Sequence, residues 1–387
     1  MKNPGKYILP LFAFLLVVSL AGASIGAGVM ILLAIAQVCR SPGMGERLRE
    51  TGEFRCESTD VTRLLWIISL CFIAALAVLD AAQNGWTGFV QAIRETWTIL
   101  VLPATASLVT ERSRELSARV LLYGFCGAAL VFLYFYATTD PAIEGHYGFH
   151  SAPYAFAIML AAPSWLAMCR HRIRISEIAL WMLLAVALFL VNTRGVIIAW
   201  LAGSALFLAF FPREKRIPRR VVALLLLLVL FFGAWKAQRW QLLDIEKQHS
   251  IQQRFAIWAQ VIEEFGEQPI FGYGFNRFRA DPSRVGEKYR SYLDNQTNPH
   301  SGYLMMLHAG GMFGFLLLWA VYGSLFYLLL RRARIHRDTF ALVAASNMLA
   351  IMIGAFGDKT FFMTLPVLQN WFLAGLALGG SRGESRP

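Results

Sequence analysis

Apolar runs of about 15 to 25 residues recur through this chain from end to end, and no other feature constrains its fold as much. A helix of roughly 20 such residues crosses a hydrocarbon core about 30 Å thick. Hydrophobic residues make up 57% of 387 positions and charged ones only 16%, with a mean hydropathy of +0.52. A soluble domain of this length would still need a charged surface. The chain reads as an all-α polytopic membrane protein.

About twelve transmembrane helices are expected, near 7–22, 24–39, 63–80, 95–109, 118–137, 153–169, 177–191, 195–211, 219–236, 300–330, 339–356 and 364–380. The first two meet at Gly22 to Gly28, so one broken helix is an alternative there. A cleaved signal peptide over 1–24 competes with it, but the apolar pattern simply continues. The tenth segment is long enough to hold a tilted helix. This divides the chain into residues 1–236 with nine spans, a loop over 237–299, and residues 300–387 with three more.

Charge supports one orientation. With the N-terminus inside, 24 of the 36 Lys and Arg fall on inward-facing segments and tails. The short outer loops keep only Arg94, Arg194 and Lys359, and short loops govern orientation. The net charge of +12 is thus mostly topological. No cluster of cations and aromatics marks a nucleic-acid surface. None of the five cysteines falls in the long loop, so no disulfide framework is expected.

The 237–299 loop is the one extramembrane piece large enough for chemistry, and by this topology it lies on the outer side. Its stretch SIQQRFAIWAQVIEEFG has helix grammar: a capping box at Ser250 and Gln253, and Ile251, Phe255, Trp258, Ile262 and Phe265 on one face. Gly266 supplies a stop. This amphipathic helix should lie on the membrane surface or on the bundle, stripe down. Arg254 flanks the stripe, either snorkelling to the interface or meeting an anion there. In QPIFGYGFNRF, Gly272 and Gly274 permit a close backbone approach to a ligand or to another segment.

After the loop comes NPHSGYLMMLHAGGMFG. Asn298 suits an N-cap, Pro299 the first helical position, and His300 then falls in the first turn of the tenth span. The positive helix end disfavours an imidazolium. A neutral imidazole there can serve as a general base, or it can simply cap its own helix. Backbone N–H groups at such an end can also hold an anion. Arg194, in the turn VNTRG between the seventh and eighth spans, breaks the positive-inside bias. It is either an anion ligand or a snorkelling cation.

Other groups carry less. His146 and His150 have helical metal-ligand spacing without an acidic or sulfur partner, which favours loop packing over a metal site. His308 reads as a satisfied bundle histidine. Asp358 and Lys359 either orient a substrate or pair with each other. No Asp-x-Asp, HExxH or Walker loop occurs, so no metal and no cofactor are expected.

His300 and Ser301, nine residues, then Gly311 to Gly314 resembles the ligase motif of bacterial O-antigen ligases. Arg254 to Trp258, followed by PIFGYG, resembles the outer-loop signature of the wider superfamily of O-antigen ligases and polymerases. Arg194 stands where that superfamily keeps an outward arginine. Many relatives have Asn after the histidine, then Gln, Glu and a final Thr, where this chain has Ser301, Met305, Ala309 and Phe315.

The resemblance implies metal-independent, inverting glycosyl transfer on the periplasmic face of the bacterial inner membrane, completing lipopolysaccharide. The donor would be O-antigen polysaccharide on undecaprenyl pyrophosphate, the acceptor a sugar hydroxyl of lipid A-core. It implies His300 as base and Arg194 and Arg254 on the pyrophosphate. Gly272, Gly274, Arg277, Asp358 and Lys359 are further candidates for substrate binding. An O-antigen polymerase, joining lipid-linked repeats, is the near alternative. A lipid-linked sugar transporter is the distant one, and would want charges at mid-membrane, where this chain has few.

Overall fold

The computed structural model describes residues 5–18, 20–40, 58–138, 183–184, 186–188, 194–210, 249–284 and 297–379. The sixth and ninth expected spans, most of the seventh, and His146 and His150 lie outside the described residues. Within them the chain is helical, with no strand.

Two helices open it, α1 (Gly5–Val18) and α2 (Leu20–Arg40). α3 (Ser58–Thr96) follows and runs through a 3-10 turn (Trp97–Leu100) into α4 (Val101–Leu108). α5 spans Glu111–Thr138, α6 Arg194–Phe210 and α7 His249–Glu267. α8 (Gly302–His336), α9 (Thr339–Gly354) and α10 (Thr364–Leu378) complete the set. Three stretches among the described residues are long and apolar enough to cross a membrane: Ala21–Cys39, Asp60–Leu108 and Gly302–His336. This is the architecture of a helical membrane protein.

The third and fourth expected spans are corrected in one respect. Between them a short outer loop is expected, yet helix continues through that stretch with a break at Gly85 (φ 62°, ψ −151°). α8 breaks in the same way at Gly311 (φ 58°, ψ −157°). At 35 residues and 1.5 Å per residue, α8 is about 52 Å long, well beyond a hydrocarbon core.

Small residues let the helices approach, as membrane packing requires. A Cβ on Gly203 of α6 would press on the Ser346 carbonyl of α9, and one on Gly375 of α10 would meet Thr105 and the Leu102 carbonyl of α4. At one end of the bundle Asp338 caps α9, accepting from Phe340 N at 3.0 Å and Ala341 N at 3.3 Å. The same carboxylate pairs with Arg114 of α5 and, at 3.0 Å, with Arg332 of α8. Arg332 in turn donates to the Leu378 carbonyl at 3.0 Å, so one acid ties four helices together.

The segment 269–275 enters the opened turn of α8. In a regular helix Met312 N would bond to the His308 carbonyl, and Phe313 N to that of Ala309. Here Met312 N donates to Pro269 O (2.8 Å) and Phe313 N to Ile270 O (3.1 Å). The released carbonyls of His308 and Ala309 accept from Tyr273 N (2.8 Å) and Gly274 N (2.9 Å). Two helical rungs are exchanged for four bonds to the loop, and none of these four backbone groups is orphaned. α3 holds the other side. Gln83 donates to the Phe271 and Gly272 carbonyls, Asn84 to that of Tyr273, and Asp80 accepts from Phe275 N at 3.0 Å.

Candidate functional site

His300 is not in the first turn of α8. Ser301 is the N-cap, its hydroxyl accepting from Leu304 N, and Gly302 opens the helix. His300 sits just ahead of the cap in the left-handed region (φ 50°). Asn298 makes an Asx turn instead of a cap: its Oδ1 accepts from His300 N at 2.9 Å. The reason lies across the fold. Gly302 N donates to the carbonyls of Ala355 (2.8 Å) and Asp358 (2.9 Å), and the Ser301 hydroxyl donates to Ala355 O at 3.1 Å. These bonds fix the helix start three residues later than local cap chemistry favours. They also occupy part of the N–H set that could hold an anion.

α7 clamps the turn from the other side. Trp258 Nε1 donates to the Pro299 carbonyl at 3.0 Å. The face of α7 buried in the protein is Gln252, Ala256, Ile257, Gln260 and Val261, while Phe255 and Ile262 of the expected stripe stay exposed. Ile257 and Val261 pack on Phe278, with Leu304 of α8 beside them. Docking this face leaves Phe255 and Ile262 pointing outward, as an interfacial helix would carry them, while Trp258 of the same stripe packs inward.

The turn brings together four of the expected site residues. Burial lowers the affinity of the His300 imidazole for its proton below the usual value. The Asp358 carboxylate opposes this, while Arg254 and Lys359 reinforce it. Arg254 lies one helical turn before Trp258, and its Nη1 comes within 3.9 Å of where a Cβ on Gly357 would stand. Asp358 and Lys359 are not joined as an ion pair. Asp358 Oδ1 accepts Lys359's backbone N–H at 2.8 Å, which leaves the ammonium to other groups. Glu95, near the end of α3, is within electrostatic reach of Lys359 and Arg94. The result is a mostly neutral imidazole with a carboxylate and two cations around it. Such a set can accept a proton beside an anion.

The other expected residues divide. Arg194 is the first residue of α6, and its side chain lies outside the described structure. Gly272 (φ 69°) and Gly274 (φ 96°) have a packing function: side chains there would collide with the His308 carbonyl and with Asp80 and Asn84. Gly311 is required for the same reason, its Cβ position being filled by the Ile270 backbone, while Gly314 leaves room for Met306 and Leu76. Arg277 lies elsewhere, beside His308. That histidine is buried and satisfied, with Nε2 3.0 Å from Glu264 Oε2 and its ring stacked on Tyr273.

Sequence alone misses Asp80, Gln83 and Asn84, which hold the loop, and places Trp258 on the apolar stripe without its bond to the His300 turn. Three polar residues beside a glycine inside an apolar run were the available signal for the first three.

No curated protein matches the chain. The family model described as O-antigen ligase matches residues 178–319. That stretch takes in Arg194, Arg254, the PIFGYG segment docked in α8 and the whole His300 to Gly314 motif. Members of the family are glycosyltransferase-like O-antigen ligases and polymerases. By this match, residues 178–319 of the chain are similar to the O-antigen ligase family.

Proposed function

We propose that this protein is an O-antigen ligase, transferring polysaccharide from undecaprenyl pyrophosphate to a sugar hydroxyl of lipid A-core. The reaction would take place on the periplasmic face of the bacterial inner membrane. The observation that carries the reading is the His300 turn, with Arg254, Lys359 and Asp358 gathered around an imidazole whose proton affinity burial lowers.

In this reading His300 takes the proton of the acceptor hydroxyl as its oxygen bonds to the anomeric carbon. The bond from that carbon to the phosphate oxygen breaks, and undecaprenyl pyrophosphate leaves. Arg254 and Arg194 neutralise the growing charge through forked hydrogen bonds, and Lys359 adds a point charge. Asp358 stabilises the imidazolium that forms. A single displacement inverts the anomeric carbon. No step calls for a metal.

The test is His300→Ala, produced at normal levels in the membrane of a strain lacking its own ligase. Loss of a general base costs about 10²–10⁴-fold in rate, so long-chain lipopolysaccharide ladders should vanish. Near-normal ladders would sink the assignment. If deleting the gene leaves lipopolysaccharide capped with single repeats, the enzyme joins lipid-linked repeats instead, and the polymerase reading replaces this one.

A further inference from the structure

A second concave site lies away from His300, where residues 273–284 fold over α7 and the upper part of α8. It is a cavity of about 220 Å³. Three arginines line it, Arg277, Arg279 and Arg284, with two carboxylates, Glu264 and Asp281. Tyr273 and His308 form an aromatic wall, their rings stacked at 5.1 Å. The volume is below the roughly 300–1,000 Å³ of pockets for drug-sized ligands, and suits one sugar ring.

Most of these groups are already fixed to one another. Arg284 Nη1 reaches Glu267 at 2.9 Å and Glu264 at 3.9 Å, and its Nε stands 4.0 Å from Asp281. Arg279 Nη1 donates to the carbonyls of Asn276 (3.1 Å) and Phe278 (2.6 Å). Gln260 bridges Glu264 (2.7 Å) and the Arg279 carbonyl (2.8 Å), and the Tyr273 hydroxyl donates to Glu267 at 2.6 Å. The frame is preorganised, which lowers the entropic cost of binding.

Arg277 is the exception. It is exposed, lines the cavity, and has no hydrogen-bond or ion-pair partner among the described residues. An uncommitted guanidinium beside a fixed polar frame asks for a carboxylate or a phosphate. The frame narrows the choice further. Glu264 and Asp281 would repel a bare anion, yet they accept hydrogen bonds from sugar hydroxyls. A ligand that satisfies both is a sugar carrying an acidic group.

The site is also placed to meet a chain already engaged at His300. Glu264 lies ten residues beyond Arg254 on α7, about 15 Å at 1.5 Å per residue. That is a few linked sugar rings.

We propose that this cavity is a saccharide subsite taking one anionic sugar residue, bearing a carboxylate or a phosphate, at a distance from the bond made at His300. The role in a polymeric substrate rests on the function proposed above; the binding itself does not. The full chain in lipid nanodiscs is probed by saturation-transfer NMR with methyl glucuronoside, glucose 6-phosphate and methyl glucoside. Binding of the two acidic sugars and not the neutral one is expected. Arg277→Gln should weaken it about tenfold, with partial recovery in Arg277→Lys. His300→Ala should leave it unchanged, so failure of the proposed reaction and failure of this subsite are seen separately. Equal binding of the neutral sugar, or an unaltered Arg277→Gln, overturns the subsite.

Transfer kinetics then separate the sources. A KM raised by Arg277→Gln for a donor with acidic repeats identifies the donor glycan. One raised only for a phosphorylated acceptor identifies the acceptor. No change with either overturns the role in turnover.

Discussion

Replacing Gly311 by alanine tests the account of how the loop is held. The residue adopts φ 58° and ψ −157°, a region close to glycine-only, where any side chain costs about 1–3 kcal/mol. Its Cβ would also fall on the backbone of Ile270 and Phe271. Relieving that collision lifts the loop and breaks at least the bonds from Met312 to Pro269 and from Phe313 to Ile270. At about 0.5–1.5 kcal/mol each, these bring the expected loss to roughly 2–6 kcal/mol.

Gly323 is the control, since a Cβ there meets nothing within 4 Å. Unfolding free energy by steric trapping in bicelles should separate the two variants. Hydrogen exchange at Met312 and Phe313 should accelerate only in Gly311→Ala. If both variants fall within about 0.5 kcal/mol of wild type, with exchange protection intact, the inserted-loop reasoning is wrong.

The His300 environment sets a pH dependence. A folded-state pKa held below the imidazole value of 6.5 keeps the base unprotonated as pH falls through 6.5, so transfer should persist there and fail only further down. Lys359→Gln removes a lowering charge and should move that acid limb up; Asp358→Asn should move it down; shifts in the opposite directions in a pH–rate profile would refute the electrostatic picture. The same shift makes a contribution to stability that is present above pH 6.5 and lost as pH falls through the folded-state value. Asp338→Ala leaves Arg114 and Arg332 half-buried without their acid and uncaps α9, and should cost about 3 kcal/mol, measured by steric trapping; a loss below about 1 kcal/mol would refute that role. Trp258→Phe keeps the ring but loses the bond to Pro299, and should cost about 1 kcal/mol locally. Transfer should fall severalfold, with the acid limb of the pH profile unmoved.

The apolar helices were legible because hydropathy and length are local properties. α6, for instance, follows the expected 195–211 within a residue at each end. The break at Gly85 was not. Gln83 and Asn84 look like loop residues beside a glycine, and only the loop near residue 272 explains why they sit on a helix. The start of α8 failed for the same reason. Asn298 and Pro299 have good cap chemistry, but the Ala355 and Asp358 carbonyls, more than fifty residues away in sequence, fix Ser301 as the cap. The spacing from His300 to the glycines was legible; its meaning was not. Gly311 lets another part of the chain in, and Gly314 leaves room for the Met306 side chain of its own helix.

That insertion bears on how substrates can travel. A lid must be able to leave its seat, and lids are drawn from the weakly held parts of a protein. Withdrawing residues 269–275 would strand the carbonyls of His308 and Ala309 and the N–H groups of Met312 and Phe313 inside the bundle, and would leave Asp80 buried without its Phe275 partner. The segment therefore behaves as masonry, and any movement that opens the proposed site to a substrate belongs to some other part of the wall.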